Sequence, residues 1–181
     1  MRILIISLIF AFQFSPVQSQ FTSARIQASG LTCAMCTKAI YNALGEVSFI
    51  QSVDPDISNS SFNVVFKKNV AVNIDKVRKA VEDAGFSIAK MKITGNFKDL
   101  AIRNDEHVTI DGSTFHFLKV SDQTLSGNRE LTLVDKNFIG AKEFKKYSVS
   151  TKMACVQTGK AEACCQKGGV KGVERIYHVT I

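Results

Sequence analysis

Cys33 and Cys36 stand two residues apart in Gly30-Leu31-Thr32-Cys33-Ala34-Met35-Cys36, a spacing that lets two sulfurs act together at a loop-to-helix junction. Residues three apart there can aim both side chains at one point. The unpaired N–H groups and the positive end of the helix dipole favour thiolates at that point. Two soft anionic sulfurs with no other obvious ligand nearby suit a soft, low-coordinate ion such as Cu(I). By spacing alone, the pair reads equally as half of a zinc site, a redox dithiol or a structural disulfide. Met35 adds a third sulfur between the two, and a side chain in that position is expected to face solvent.

The other three cysteines, Cys155, Cys164 and Cys165, share one short stretch. An odd number cannot all pair within it. Two readings stand: a disulfide from Cys155 to Cys164 or Cys165, closing a loop of about ten residues, or a second soft-metal site completed by Met153 or His178. The histidines, His107, His116 and His178, each fall in a strand-like run and are expected to be surface or core residues. Only His178 is a ligand candidate, because it lies at the chain end that carries the cysteine cluster. Alternation places it opposite the face bearing Tyr177, Val179 and Ile181. No Gly-x-Ser-x-Gly elbow, phosphate loop or HExxH helix occurs, so the expectation is a protein without catalytic activity.

The elements around the first pair are regular. Residues 22–28 read as a strand, and a helix follows from near Met35 to Leu44, with Ile40 and Leu44 one turn apart and Gly45 as its stop. Residues 47–53 and 62–66 read as two strands joined by the turn-rich Asp54-Pro55-Asp56-Ile57-Ser58-Asn59. Asn73 can cap a second helix, in which Ile74, Val77, Val81 and Ala84 recur at helical spacing up to Gly85. Residues 86–93 supply a last strand.

With GLTCAMC ahead of the first helix and Val77-Arg78-Lys79-Ala80-Val81-Glu82-Asp83-Ala84-Gly85-Phe86 forming the second, residues 21–93 resemble the heavy-metal-associated domain of copper chaperones and copper-transporting P-type ATPases. The resemblance implies a ferredoxin-like βαββαβ fold, with Cys33 and Cys36 binding Cu(I) and handing it to a metal-donor or acceptor protein by ligand exchange. Leu31 stands where the family most often has Met, a swap close in volume and polarity. Thr32 precedes the first cysteine, where zinc- and lead-handling members tend to place an acid, so the resemblance points to the copper branch, with Zn, Cd and Hg as alternative ions. Thioredoxin-like dithiol enzymes set a Trp beside the pair and a cis-Pro facing it. This chain has no Trp, and Pro16 and Pro55 are its only prolines.

Beyond Gly95-Asn96 the helical periodicity fades. Residues 97–103, 107–110, 114–120, 129–134 and 173–181 read as strands, with Asp111-Gly112 as a hairpin turn and residues 138–147 as an interposed helix. That pattern suggests a small mainly-β domain, an OB-like barrel. The expected fold class is α+β, organised as a signal peptide (1–19), a ferredoxin-like metal-binding domain (20–94) and a mainly-β domain (95–181).

Met1-Arg2 and the apolar run of residues 3–12, followed by Pro16-Val17-Gln18-Ser19, fit a secretory signal peptide cut near Ser19. The apolar run is too short to span a bilayer and no later one is longer, so no stable membrane anchor is expected. An exported protein, periplasmic or extracellular, follows. Formal charge is +7, shared nearly evenly between the halves, and with export this argues against a nucleic-acid partner. Lys142, Lys145, Lys146 and Lys152 read as a solvated face. Two further functions use the same features: a thiol-disulfide oxidoreductase built on Cys33 and Cys36, and a cell-surface module that binds a partner.

Overall fold

The computed structural model describes residues 20–31, 34–166 and 174–181. The signal-peptide segment, Thr32, Cys33 and Val173 lie outside the described residues. The elements in chain order are β1 (Gln20–Ser29), α1 (Ala34–Gly45), β2 (Ile50–Asp56), β3 (Ser61–Phe66), α2 (Ile74–Asp83), β4 (Ser87–Ile102), β5 (Glu106–Ile110), β6 (Ser113–Phe117), β7 (Gln123–Leu133), α3 (Ala141–Ser148), α4 (Cys155–Thr158), α5 (Ala163–Gln166) and β8 (Ile176–Thr180).

The first half is βαββαβ with neighbouring strands β2-β3-β1-β4, the ferredoxin-like arrangement. Its helices form for the reasons legible in their sequences. Asn73 Oδ1 accepts the Lys76 backbone N–H at 2.9 Å to start α2, Gly85 takes the positive φ of 88° that ends it, and Ile74, Val77 and Val81 are buried. In α1, Ile40 and Leu44 are buried against the same sheet. The second strand starts three residues later than its pattern suggested and runs through Pro55. This is tolerated because β2 is an edge of the sheet, where a missing N–H costs no ladder bond.

The second half departs from expectation: its strands do not close into an OB-like barrel. They extend the first sheet into one open eight-stranded sheet, β2-β3-β1-β4-β7-β8-β6-β5, leaving β2 and β5 as edges. The physical cause is β4, which runs unbroken for 16 residues and pairs with β1 along its first part and with β7 along much of its length. Gly95-Asn96 therefore sits inside a strand. A Cβ on Gly95 would stand 2.9 Å from the Phe97 ring and 3.2 Å from that of Phe21, so this glycine serves close packing rather than a linker.

The sheet coils enough for Phe21 of β1 to meet Phe115 of β6, ring centroids 5.4 Å apart, over one core shared by both halves. The Asp111-Gly112 turn has positive φ at both residues, 49° and 72°. It sets the β5–β6 register at Ile110↔Ser113 and so outward. β8 lies between β7 and β6, antiparallel to one and parallel to the other, and all five of its residues are buried. On its second face, Leu118, Val134, Ile139, Phe144 of α3 and Val156 form a small separate cluster.

Candidate metal centres

Cys36 lies in the first turn of α1, half-buried, and Met35 beside it is 82 % exposed, as a residue between the two cysteines was expected to be. Leu31 packs on the core, as does Phe86. A cavity of about 250 Å³ opens beside this end of β1, lined by Leu31, Ala34, Thr37, Ile57 and Phe62 among others.

The three remaining cysteines are held as thiols. The Sγ atoms of Cys164 and Cys165 are 3.8 Å apart, and Cys155, Cys165, Ala161 and Ile176 bury together with Met153 packed against them. Burial pushes the Cys155 and Cys165 thiols up, whereas the backbone N–H of Ala154 draws that of Cys164 down.

The three histidines stand together in the second half. His116 and His178 are fully buried and His107 is half-buried. The strand registers make them one row: His107 pairs with His116 across β5–β6, and His116 with His178 across β6–β8. Directly paired residues share a face of the sheet, here the face opposite the core-packed Phe115 and Tyr177. The His107 and His116 rings stack with centroids 4.4 Å apart, and His178 stands edge-on to His116 at 5.2 Å.

Cys155 of α4 sits against this row. Its Sγ is 3.7 Å from His107 Nε2 and 3.7 Å from His116 Nδ1, and the three atoms all lie within 4.8 Å of one another. His178, the histidine singled out from the sequence, stands behind this triangle rather than in it. Two carboxylates orient the rings. His116 Nε2–H donates to Asp105 Oδ1 at 2.8 Å. His178 Nδ1–H donates to Asp135 Oδ1 at 2.8 Å, and the His178 backbone N–H donates to Asp135 Oδ2 at 2.9 Å. An ionised carboxylate only accepts, so each of these rings turns an N–H toward its carboxylate, and His116 Nδ1 is left facing the Cys155 sulfur. Burial, reinforced by His178 and His107, pushes His116 down to about 4, and burial likewise lowers His107. His107 and His116 are thus neutral near pH 7.

Sequence reasoning missed His107 and His116 as partners of Cys155, yet one signal was present. Counting outward from the two-residue Asp111-Gly112 turn pairs 110 with 113 and reaches 107 opposite 116. Nothing in the sequence placed Cys155 over that pair.

A ferredoxin-like sheet with a cysteine at the β1–α1 junction defines the class: a small α+β module of the metal-binding kind. Residues 25–87 match the heavy-metal-associated domain family, and the chain belongs to it. Over 61 residues it is 34 % identical to a copper-transporting ATPase of Helicobacter pylori, covering 34 % of this chain but only 8 % of the ATPase. Over 86 residues it is 30 % identical to a mercuric transport protein periplasmic component of Acinetobacter calcoaceticus, covering 48 % of this chain and 93 % of that protein. Among solved structures, the CopZ metallochaperone aligns with 22 % identity over 38 % of this chain and all of that one, with a TM-score of 0.35.

Proposed function

We propose that this chain is an exported, non-enzymatic copper carrier that binds Cu(I) between Cys33 and Cys36 and passes it to or from a partner protein. The observation that carries the reading is the family match over residues 25–87, a range that includes Cys33 and Cys36 of the sequence; Cys36 lies in the first turn of α1. Relatives named as copper-transporting ATPases support copper as cargo, and the relative named as a periplasmic mercury-transport component supports an exported role. A thiolate pair at a helix N-terminus transfers a soft ion by exchange: an incoming thiolate adds to the two-coordinate ion and one original thiolate leaves, so one Cu–S bond forms as another breaks and the oxidation state is unchanged.

The test is an anaerobic titration of the reduced full chain with Cu(I) against a chromogenic chelator, beside the Cys33→Ser/Cys36→Ser variant. The variant is expected to lose one tightly held equivalent. Unchanged stoichiometry, or catalytic turnover of a test disulfide by the parent protein, overturns the reading. Retention of Hg(II) but not Cu(I) overturns the choice of cargo. Fractionation of expressing cells, with N-terminal sequencing of the recovered protein, tests export; a start near Gln20 is expected.

A further inference from the structure

We propose that His107 Nε2, His116 Nδ1 and Cys155 Sγ form a second, preformed copper centre, a mixed imidazole–thiolate site separate from the CxxC loop.

Geometry carries the first step. An ion bound at about 2.3 Å to sulfur and about 2.0 Å to nitrogen, with angles near tetrahedral, sets sulfur and nitrogen about 3.5 Å apart. Both Cys155-to-imidazole distances are 3.7 Å, so both sulfur–nitrogen edges already stand within a few tenths of an ångström of that spacing, and the two nitrogens lie within 4.8 Å of one another. The row that supplies the nitrogens is fixed by backbone pairing in three adjacent strands, and it stands ready before any metal arrives.

Proton counting carries the second step. Asp105 takes the Nε2–H of His116, which turns His116 Nδ1 toward the Cys155 sulfur, and His107 Nε2 faces the same sulfur. One Cys155 S–H proton can serve only one of these two nitrogens at a time. A buried pocket rich in acceptors and short of donors favours a cation. The Asp105 carboxylate behind His116 is also the arrangement that orients metal-bound histidine and raises its basicity. When the ion binds, Cys155 gives up its thiol proton to solvent, His107 takes the Nδ1–H tautomer, the thiolate, His107 Nε2 and His116 Nδ1 bond to the metal, and the metal's oxidation state does not change.

The donor set selects the occupant. Two imidazoles and one thiolate in a low-coordinate site suit copper, which stands at the top of the divalent affinity order, and whose monovalent form prefers thiolate. Ile176, Ala161 and Met153 surround the sulfur, and half-buried His107 is the route of entry. Cys36, in the first turn of α1, follows the far end of β1, about 25 Å along the strand from Phe21, whereas Phe21 is the residue of β1 that meets Phe115, next to His116, across the sheet.

The experiment uses the full chain carrying Cys33→Ser/Cys36→Ser, reduced and anaerobic, titrated with Cu(I) against the same chelator and examined by X-ray absorption at the copper edge. One bound equivalent with both nitrogen and sulfur neighbours is expected. His107→Gln and Cys155→Ser should each weaken binding at least 100-fold, Asp105→Asn about 10- to 100-fold, and Cys164→Ser/Cys165→Ser less than threefold. Circular dichroism and thermal melting of each variant identify misfolding, and half-buried His107→Gln is the substitution that tests the site with least disturbance to the core. No bound copper in the parent, a sulfur-only shell, loss on removing Cys164 and Cys165, or preferential retention of zinc would overturn the proposal.

Discussion

At the scale of single residues, the consequential group is the carboxylate–imidazole pair, because it decides both protonation and stability. His116 is fully buried and its pKa is pushed from 6.5 to about 4. The groups facing it are Asp105, His107, His178 and Cys155. As pH falls through that window the unfolded chain takes the proton before the folded one does, so acid favours unfolding and stability rises with pH from about 4 to 6.5. Urea titrations of the metal-free protein across this range should show the midpoint climbing, and a flat profile would contradict the buried neutral assignment. Asp135 is a second test. It accepts from the His178 ring, the His178 backbone and Arg175 at 3.3 Å and is 5 % exposed. Asp135→Ala strands the two His178 donors, while Arg175 keeps Asp75, and should cost about 3 kcal/mol, read as a lower urea midpoint.

Among the elements, β4 matters most, since one strand lines both halves. Gly95 allows the Phe21 and Phe97 rings to close over its backbone. Gly95→Ala should therefore destabilise by about 1–3 kcal/mol through overpacking, where a glycine in a solvent-exposed linker would tolerate the change without loss. Thermal melting of the two proteins separates these outcomes. The start of α2 offers a milder check. Asn73→Ala removes the cap to Lys76 and should cost about 1 kcal/mol.

Over the whole molecule, the two halves share a sheet, a core and a polar tie. Arg175, just before β8, donates to Asp75 in the first turn of α2 at 2.9 Å, lies 3.3 Å from Asp135 and stacks over Tyr177, whose hydroxyl also donates to Asp75. The chain of groups Asp75–Arg175–Asp135–His178 runs from the family-matched segment to the histidine row. A metal-free chain built this way should unfold in one transition, with calorimetric and van't Hoff enthalpies equal. Two resolved transitions would show that residues on either side of Gly95 fold as independent bodies.

What the sequence determined by itself was local. Helical periodicity, an Asn cap and a glycine stop specify α2; alternation and Asp111-Gly112 specify the β5–β6 hairpin; and the CxxC at a loop-to-helix junction pointed to the family. Such signals depend on residues a few positions apart, and tertiary packing had no reason to override them. The tertiary structure decided how the strands of the second half join. No local pattern tells a strand that continues another sheet from one that closes a barrel, and Gly95-Asn96 looks the same as a turn or as a packing site. It also decided the histidine row. His178 is 62 residues beyond His116 in sequence, and their pairing is a parallel one made only when β8 inserts between β7 and β6. Cys155 reaches them from a third segment. A metal site whose ligands come from separate strands and a crossing helix leaves no spacing motif, because the distances that define it are set by inter-strand pairing rather than by the chain.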